Sequence, residues 1–241
     1  MIEAKTIKLS LSADDFGRHR TGKNQHFKCK EFIYISILEQ LEAYLNFEDV
    51  SQAVSRPKAT KQHHLINFED RLAIQSSPLY HIHQDALQIH VYLDEVSMTG
   101  DRGSRSKKKK LVYVKFSFGN LEAKYRSNFK VIFLLSIFHN TTMSRFGLNI
   151  LLRPLVNDLK KLEKGIEMSI GGKPSVIRGT LSAVIADNLA SHQIGGFKVR
   201  FSKGFQKCRF CLGTDDEIQN NFFYCDFLHR TKEQHAVHCS S

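Results

Sequence analysis

Two short apolar runs, each followed by an aspartate, constrain this chain more than any other feature. Leu87-Gln88-Ile89-His90-Val91-Tyr92-Leu93 leads into Asp94, and Val176 to Ala186, reading VIRGTLSAVIA, leads into Asp187-Asn188. Both read as strands. A carboxylate at the end of a buried strand can hold a divalent cation against a phosphate, and two such acids are the parts of a two-metal phosphoryl-transfer site. Each aspartate could equally do no more than terminate its strand, and pattern alone leaves both readings open. Glu95 is the weaker ligand candidate, because strand alternation points it away from Asp94.

The surrounding pattern suits an α/β fold with a mixed sheet and helices packed on it. Lys110 to Phe118, KLVYVKFSF, alternates as a strand that Gly119-Asn120 ends. Phe129 to Phe138 is a continuous apolar run that fits a third strand or the start of a helix. Ser144 to Lys164 carries a broad apolar face and predicts one helix, kinked at Pro154 and capped by Gly165. Ile166–Ile170 and Val176–Ala186 are expected to form a hairpin around Gly171-Gly172-Lys173-Pro174. Phe32, Ile33, Ile37, Leu38, Leu41, Tyr44 and Leu45 recur at helical spacing and predict a helix from Lys30 to Leu45. Residues 1–28 and 46–75 read as irregular segments, loops and turns. The expected organisation is a helical or irregular segment over 1–85, a core over 86–207 and a metal-binding stub over 208–241.

The stub is proposed from its ligands. Cys208-x-x-Cys211 followed by His235-x-x-His238 has the residue types and pairing of a Cys2His2 zinc site. Its gap is long for a compact finger, Cys225, His229 and Cys239 compete as ligands, and a loop with incidental cysteines and histidines is the alternative. Five cysteines is an odd number, which fits metal-bound or free thiols in a reducing compartment better than a disulfide framework.

Charge points to the partner. The 241 residues hold 35 Lys+Arg against 24 Asp+Glu, a formal +11, which favours a polyanion, most simply DNA. Arg102, Arg105, Lys107, Lys108, Lys109 and Lys110 form a basic run that could contact phosphates or act as a nuclear-import patch; a solvated hairpin tip is the alternative. No secretory signal is visible, and Val131 to Phe138 is too short to span a bilayer, so a nuclear, non-membrane protein is expected. Two other patterns fail: His81-x-His83-x-Asp85 lacks the histidine that a metallo-hydrolase box needs after Asp85, and Ser191-His192 has no visible acid partner.

Several blocks together resemble a family: Ala86 to Asp94, Ser117 to Leu121 with Lys124 to Ser127, Arg178-Gly-Thr-Leu181, Ala186-Asp-Asn-Leu-Ala190, Gly195-Gly-Phe197, Lys207 to Cys211 and Arg230-Thr-Lys-Glu-Gln-His235. They look like transposase-derived proteins of animal cut-and-paste DNA transposons, and the likeness runs from about Lys30 onward. The resemblance implies an RNase H-like core. It implies Asp94 and Asp187 as ligands for Mg2+ or Mn2+, and Cys208, Cys211, His235 and His238 as ligands for structural Zn2+. Ser97 stands where the family has an acid, Gly100 to Ser104 where it has an Asn-Pro-Leu-Gly-Ser turn, and Glu69-Asp70-Arg71 where it has Cys-Asp-Gly. The family's last core strand and helix, with a third carboxylate, have no counterpart before Ser241. The resemblance therefore implies a core incomplete at its C-terminus, a truncated copy that binds DNA without cutting it. The alternative is a domesticated, non-catalytic zinc-containing module that binds protein or nucleic acid.

Overall fold

The computed structural model describes residues 2–9, 30–55, 77–97, 110–121, 131–197 and 208–240. The chain divides into two compact units, Met1–Ile185 and Ala186–Ser241.

The first unit is built on a six-stranded sheet. Its strands are β1 (Ala4–Leu9), β2 (Lys30–Ile35), β3 (Leu87–Ser97), β4 (Lys110–Phe118), β5 (Phe133–His139) and β8 (Gly179–Ala186), arranged β1-β2-β5-β4-β3-β8. Pairing is antiparallel from β1 to β3. β8 runs parallel to β3, because the Leu87 N–H donates to the Arg178 carbonyl while the Ser182 hydroxyl, further along β8, donates to the Ile89 carbonyl. Parallel neighbours require a long crossover. Here β4, β5 and a helical layer supply it.

One face of the sheet is the core. Ile89, Val91 and Leu93, with Val112, Val114, Phe116 and Phe118, point to it, as do Phe133, Leu135, Phe138 and Phe32, and all are buried. The rings interlock edge to face, Phe118 on Phe133 at 5.8 Å and Phe32 on Phe138 at 6.3 Å. Covering them are α1 (Ile37–Leu45), through Ile37, Leu41 and Leu45, and α6 (Arg153–Lys164), through Leu155, Leu159 and Leu162. Each such side chain contributes about 1.5–3 kcal/mol by leaving water. A buried carboxylate joins the two layers: Asp158 of α6 accepts from the Tyr34 hydroxyl at 3.0 Å and the Ser36 hydroxyl at 2.9 Å. Burial first, and then the Asp158 charge, push the Tyr34 phenol well above its ordinary pKa, so this pair keeps Tyr34 as a donor.

Several expectations are corrected. Lys30–Ile35 is a strand, not the start of a helix: Phe32 and Tyr34 alternate inward, and Ser36, with ψ 126°, breaks the chain before α1 begins. The apolar residues from Phe32 to Ile37 fit either period, and pairing with β1 and β5 selects the strand. α2 (Glu48–Ser55) lies in the segment read as loops, and α3 (Pro78–Ile82) follows it where no element was assigned. The single kinked helix is three pieces, α4 (Asn140–Phe146), α5 (Leu148–Leu151) and α6. Gly147, at φ 80°, divides the first two, and Pro154 opens α6 from its first turn, where its missing N–H costs nothing. β5 settles the Phe129–Phe138 ambiguity in favour of a strand.

The expected hairpin also changes partners. β6 (Ile166–Ile170) pairs with β7 (Lys173–Ile177) through the two-residue turn Gly171-Gly172, whose φ values of 59° and 74° suit glycine and the twist of a tight hairpin. β8 departs to the main sheet. Gly179 makes that possible, since a Cβ there would stand 2.7 Å from the Leu87 carbonyl oxygen and 2.8 Å from the Leu87 Cβ. Gly179→Ala is therefore expected to force β8 off β3 and cost about 1–3 kcal/mol, read as a lowered midpoint in urea unfolding. An unchanged midpoint would contradict the close approach.

In the second unit, α7 (Asn188–Ile194), α8 (Asp215–Asn220), a 3-10 turn at Tyr224–Asp226 and α9 (Lys232–Ser240) surround a cysteine turn. Among the described residues no helix is long and apolar enough to cross a membrane.

Candidate functional site

Asp94 lies inside β3 and not at its end, because the ladder to β4 continues through Val96 opposite Leu111 and Ser97 opposite Lys110. Lys110 also binds the Glu95 carboxylate at 2.6 Å, which helps carry the strand past Asp94. Glu95 thus faces the opposite side from Asp94, as alternation requires, and is engaged by a lysine. Asp94 is exposed on the face away from the core, directly across from Tyr113, and takes no hydrogen bond or ion pair among the described residues. A carboxylate without a protein partner on a rigid strand is available to a ligand.

Asp187 belongs to the second unit, where it is the N-cap of α7. Its φ of −64° and ψ of 173° leave the helix, and its Oδ1 accepts the Ala190 N–H at 2.7 Å. The structural role therefore occupies one oxygen, and the other takes no hydrogen bond among the described residues. The Ser191 hydroxyl donates to the Ala186 carbonyl at 3.2 Å, which gives the Ser191-His192 pair a local structural role. Asp187→Ala is expected to lose the cap and destabilise the unit by about 1 kcal/mol, while Asp187→Asn, itself a good cap, should change stability by no more than a few tenths. Thermal unfolding of the two variants separates capping from any ligand role, and equal losses in both would contradict the cap.

Cys208 and Cys211 sit on one tight turn. The Phe210 N–H donates to the Cys208 sulfur at 3.3 Å, and the Gly213 N–H points at the Cys211 sulfur. Burial raises the Cys208 thiol, but the Phe210 and Cys211 N–H groups, the Cys211 thiol and the Arg230 guanidinium outweigh it and hold Cys208 below its ordinary pKa. Burial and the neighbouring Cys208 raise Cys211. The N–H groups around the Cys208 sulfur thus favour its thiolate, the form that binds metal.

The remaining chain is arranged to support this turn. Leu212 N donates to Leu228 O at 2.8 Å and Arg230 N to Phe210 O at 2.9 Å, pairing Cys211 with His229. The Arg230 guanidinium donates to the carbonyls of Cys208 and Cys211 and lies 5.4 Å from the Phe197 ring centre. Thr231 and Gln234 cap α9 reciprocally. His235 stacks on Phe197 at 4.3 Å, its Nε2 2.5 Å from the Gly195 carbonyl and 3.4 Å from the Cys239 sulfur. A carbonyl only accepts, so Nε2 carries a proton toward it. The His235 Nδ1 is buried without a hydrogen-bond partner.

Of the expected zinc ligands, the structure thus joins Cys208 to Cys211 and brings His235 to Cys239. Among the described residues no three His, Cys, Asp or Glu side chains converge as a metal group. His238 is on α9, and its side chain lies outside the described residues. In the basic run, Arg102, Arg105, Lys107, Lys108 and Lys109 lie outside the described residues, and Lys110 is committed to Glu95. Arg230 and Phe197, which organise the cysteine turn, escaped the sequence reading, although both stand in the family-like blocks. A cleft of about 510 Å3 beside Asp158 was also missed; both its lysines are paired, Lys5 with Glu39 at 2.5 Å and Lys161 with Asp158 at 3.4 Å. Compared with known proteins, the chain matches no family model and no curated sequence.

Proposed function

We propose that this chain is a transposase-derived, nuclear DNA-binding protein with an RNase H-like core. In this reading Asp94 and Asp187 form a partial two-metal phosphoryl-transfer site, and the second unit is a zinc element. The observation that carries the reading is the order β5-β4-β3-β8: three antiparallel strands, then a parallel one beside the first of them. Asp94 stands on β3 and Asp187 directly follows β8.

The donor sets suit the expected metals. Among the described residues Asp94 has no partner and one Asp187 oxygen takes no hydrogen bond, and carboxylate oxygens are the ligands that Mg2+ and Mn2+ take. Such ions would supply positive charge against a phosphate and its leaving oxygen. Cys208, held below its ordinary pKa by neighbouring N–H groups and Arg230, and Cys211 beside it offer the two sulfur donors. His235 offers Nδ1 while its Nε2–H is oriented by a backbone carbonyl, the outer-shell arrangement common to metal-bound histidine. His238 is the proposed fourth ligand.

Two carboxylates hold a second ion poorly, so binding without cutting is the expected behaviour. The purified chain, with its +11 charge, should retain duplex DNA with a steep loss of affinity as salt rises. It should show no Mg2+- or Mn2+-dependent nicking. Absence of retention at low salt would overturn the DNA reading, and nicking abolished by Asp94→Ala would overturn the non-cutting one and send the search to Glu217 and Asp226.

The zinc assignment has its own test. Metal analysis should find one Zn2+ per chain, lost in the Cys208→Ser, Cys211→Ser double variant, and chelation should unfold the second unit. Full zinc content in the double variant would refute it.

A further inference from the structure

The face of the sheet that carries Asp94 holds a second group that the basic run did not suggest. Strand alternation and the β3–β4 register put Tyr113 opposite Asp94, Lys115 opposite Tyr92 and Ser117 opposite His90, all on the side away from the core. Lys115 is half-buried on a central strand. It is the diagonal neighbour of Asp94, within reach of a long side chain, yet no ion pair joins it to Asp94 or to any other acid among the described residues. Its ammonium lies 6.0 Å from the centre of the Tyr113 ring. Beside it the Tyr92 and Ser117 hydroxyls share a hydrogen bond at 3.2 Å, and Ser117 is fully buried.

We propose that Lys115, with Tyr92 across from it and Tyr113 on its own strand, binds a backbone phosphate of DNA next to Asp94. This rests on the DNA reading above and names a residue that would place the polyanion there. A carboxylate repels a phosphate, and a cation on the adjacent strand with no acidic partner among the described residues offsets that repulsion at short range. An ammonium and two phenols are all donors, which matches the acceptor oxygens of a phosphodiester. The contrast with Lys110 sharpens the assignment: that lysine, on the same strand but the opposite face, is already bound to Glu95. A lysine on a paired strand is also held in place more firmly than one on a loop.

The test uses the full chain, a duplex oligonucleotide and binding constants measured across a range of salt. Lys115→Met keeps the apolar stem and removes only the charge. It should bind more weakly, with a log–log salt slope shallower by about 0.9, the value of one phosphate contact. Lys115→Arg keeps the cation and should restore the wild-type slope, and far-UV circular dichroism checks that both fold. A steep wild-type slope left unchanged in Lys115→Met would overturn this proposal and leave the DNA reading standing. Should Lys115→Met unfold, Lys115→Gln removes the same charge, and a slope unchanged from wild type in that variant would overturn it in the same way. No retention of duplex by the wild type would overturn both readings together.

Discussion

Everything in the first unit hangs on the double pairing of β3. Along one edge it holds β4 in a register running from Ile89 opposite Phe118 to Ser97 opposite Lys110. Along the other it accepts β8, whose Gly179 comes so close to Leu87 that no side chain fits between them. Ile89, Val91 and Leu93 point into the core while the alternate residues form the opposite face. Because the side-chain period is two, a slip of one residue would send the core set outward and bring Asp94 inward. The packing energy of the core is therefore also what fixes the side on which Asp94 is presented.

Polar groups in this chain combine structural and chemical duties. Asp158 is buried with two hydroxyl donors and a nearby lysine, and it serves to join helix to sheet. Asp187 caps a helix with one oxygen and keeps the other. His235 uses one ring nitrogen to hold a carbonyl and leaves the other without a hydrogen-bond partner. Satisfying half of a group's bonding capacity orients it and leaves the rest for a ligand, whereas Asp158 is satisfied in full. That difference separates the proposed site residues from the structural acid.

The family-like blocks acquire local physical reasons. Gly179 of the Arg178-Gly-Thr-Leu181 block permits close strand pairing. Phe197 of Gly195-Gly-Phe197 is the plate on which His235 stacks and over which Arg230 lies. Arg230-Thr-Lys-Glu-Gln-His235 supplies the guanidinium that holds the cysteine turn, the helix cap and the oriented histidine in a single run. Each of these duties would constrain its residues whether or not metal is bound.

Periodicity in the sequence was enough to determine β4, the body of α6 and its Gly165 stop, because there a strong local pattern agrees with a clear end signal, and it found β3 without its end, which lies at Ser97 and not at Asp94. It also nominated the candidate donors, since carboxylates and a Cys-x-x-Cys pair are picked out by residue type alone. What only tertiary structure decided are features set by partners far along the chain. β1 and β2 are strands because each pairs with another strand, although β1 has just Ile7 and Leu9 to signal alternation. β8 left its expected hairpin because Gly179 can approach Leu87, a neighbour 92 positions earlier. Lys110 was spent on Glu95, and Lys115 left without an acidic partner among the described residues, by which side of the sheet each faces, a matter of parity and register. Local sequence carries the period of an element, but the free energy that selects its partner and its exposed face comes from burial and pairing across the fold.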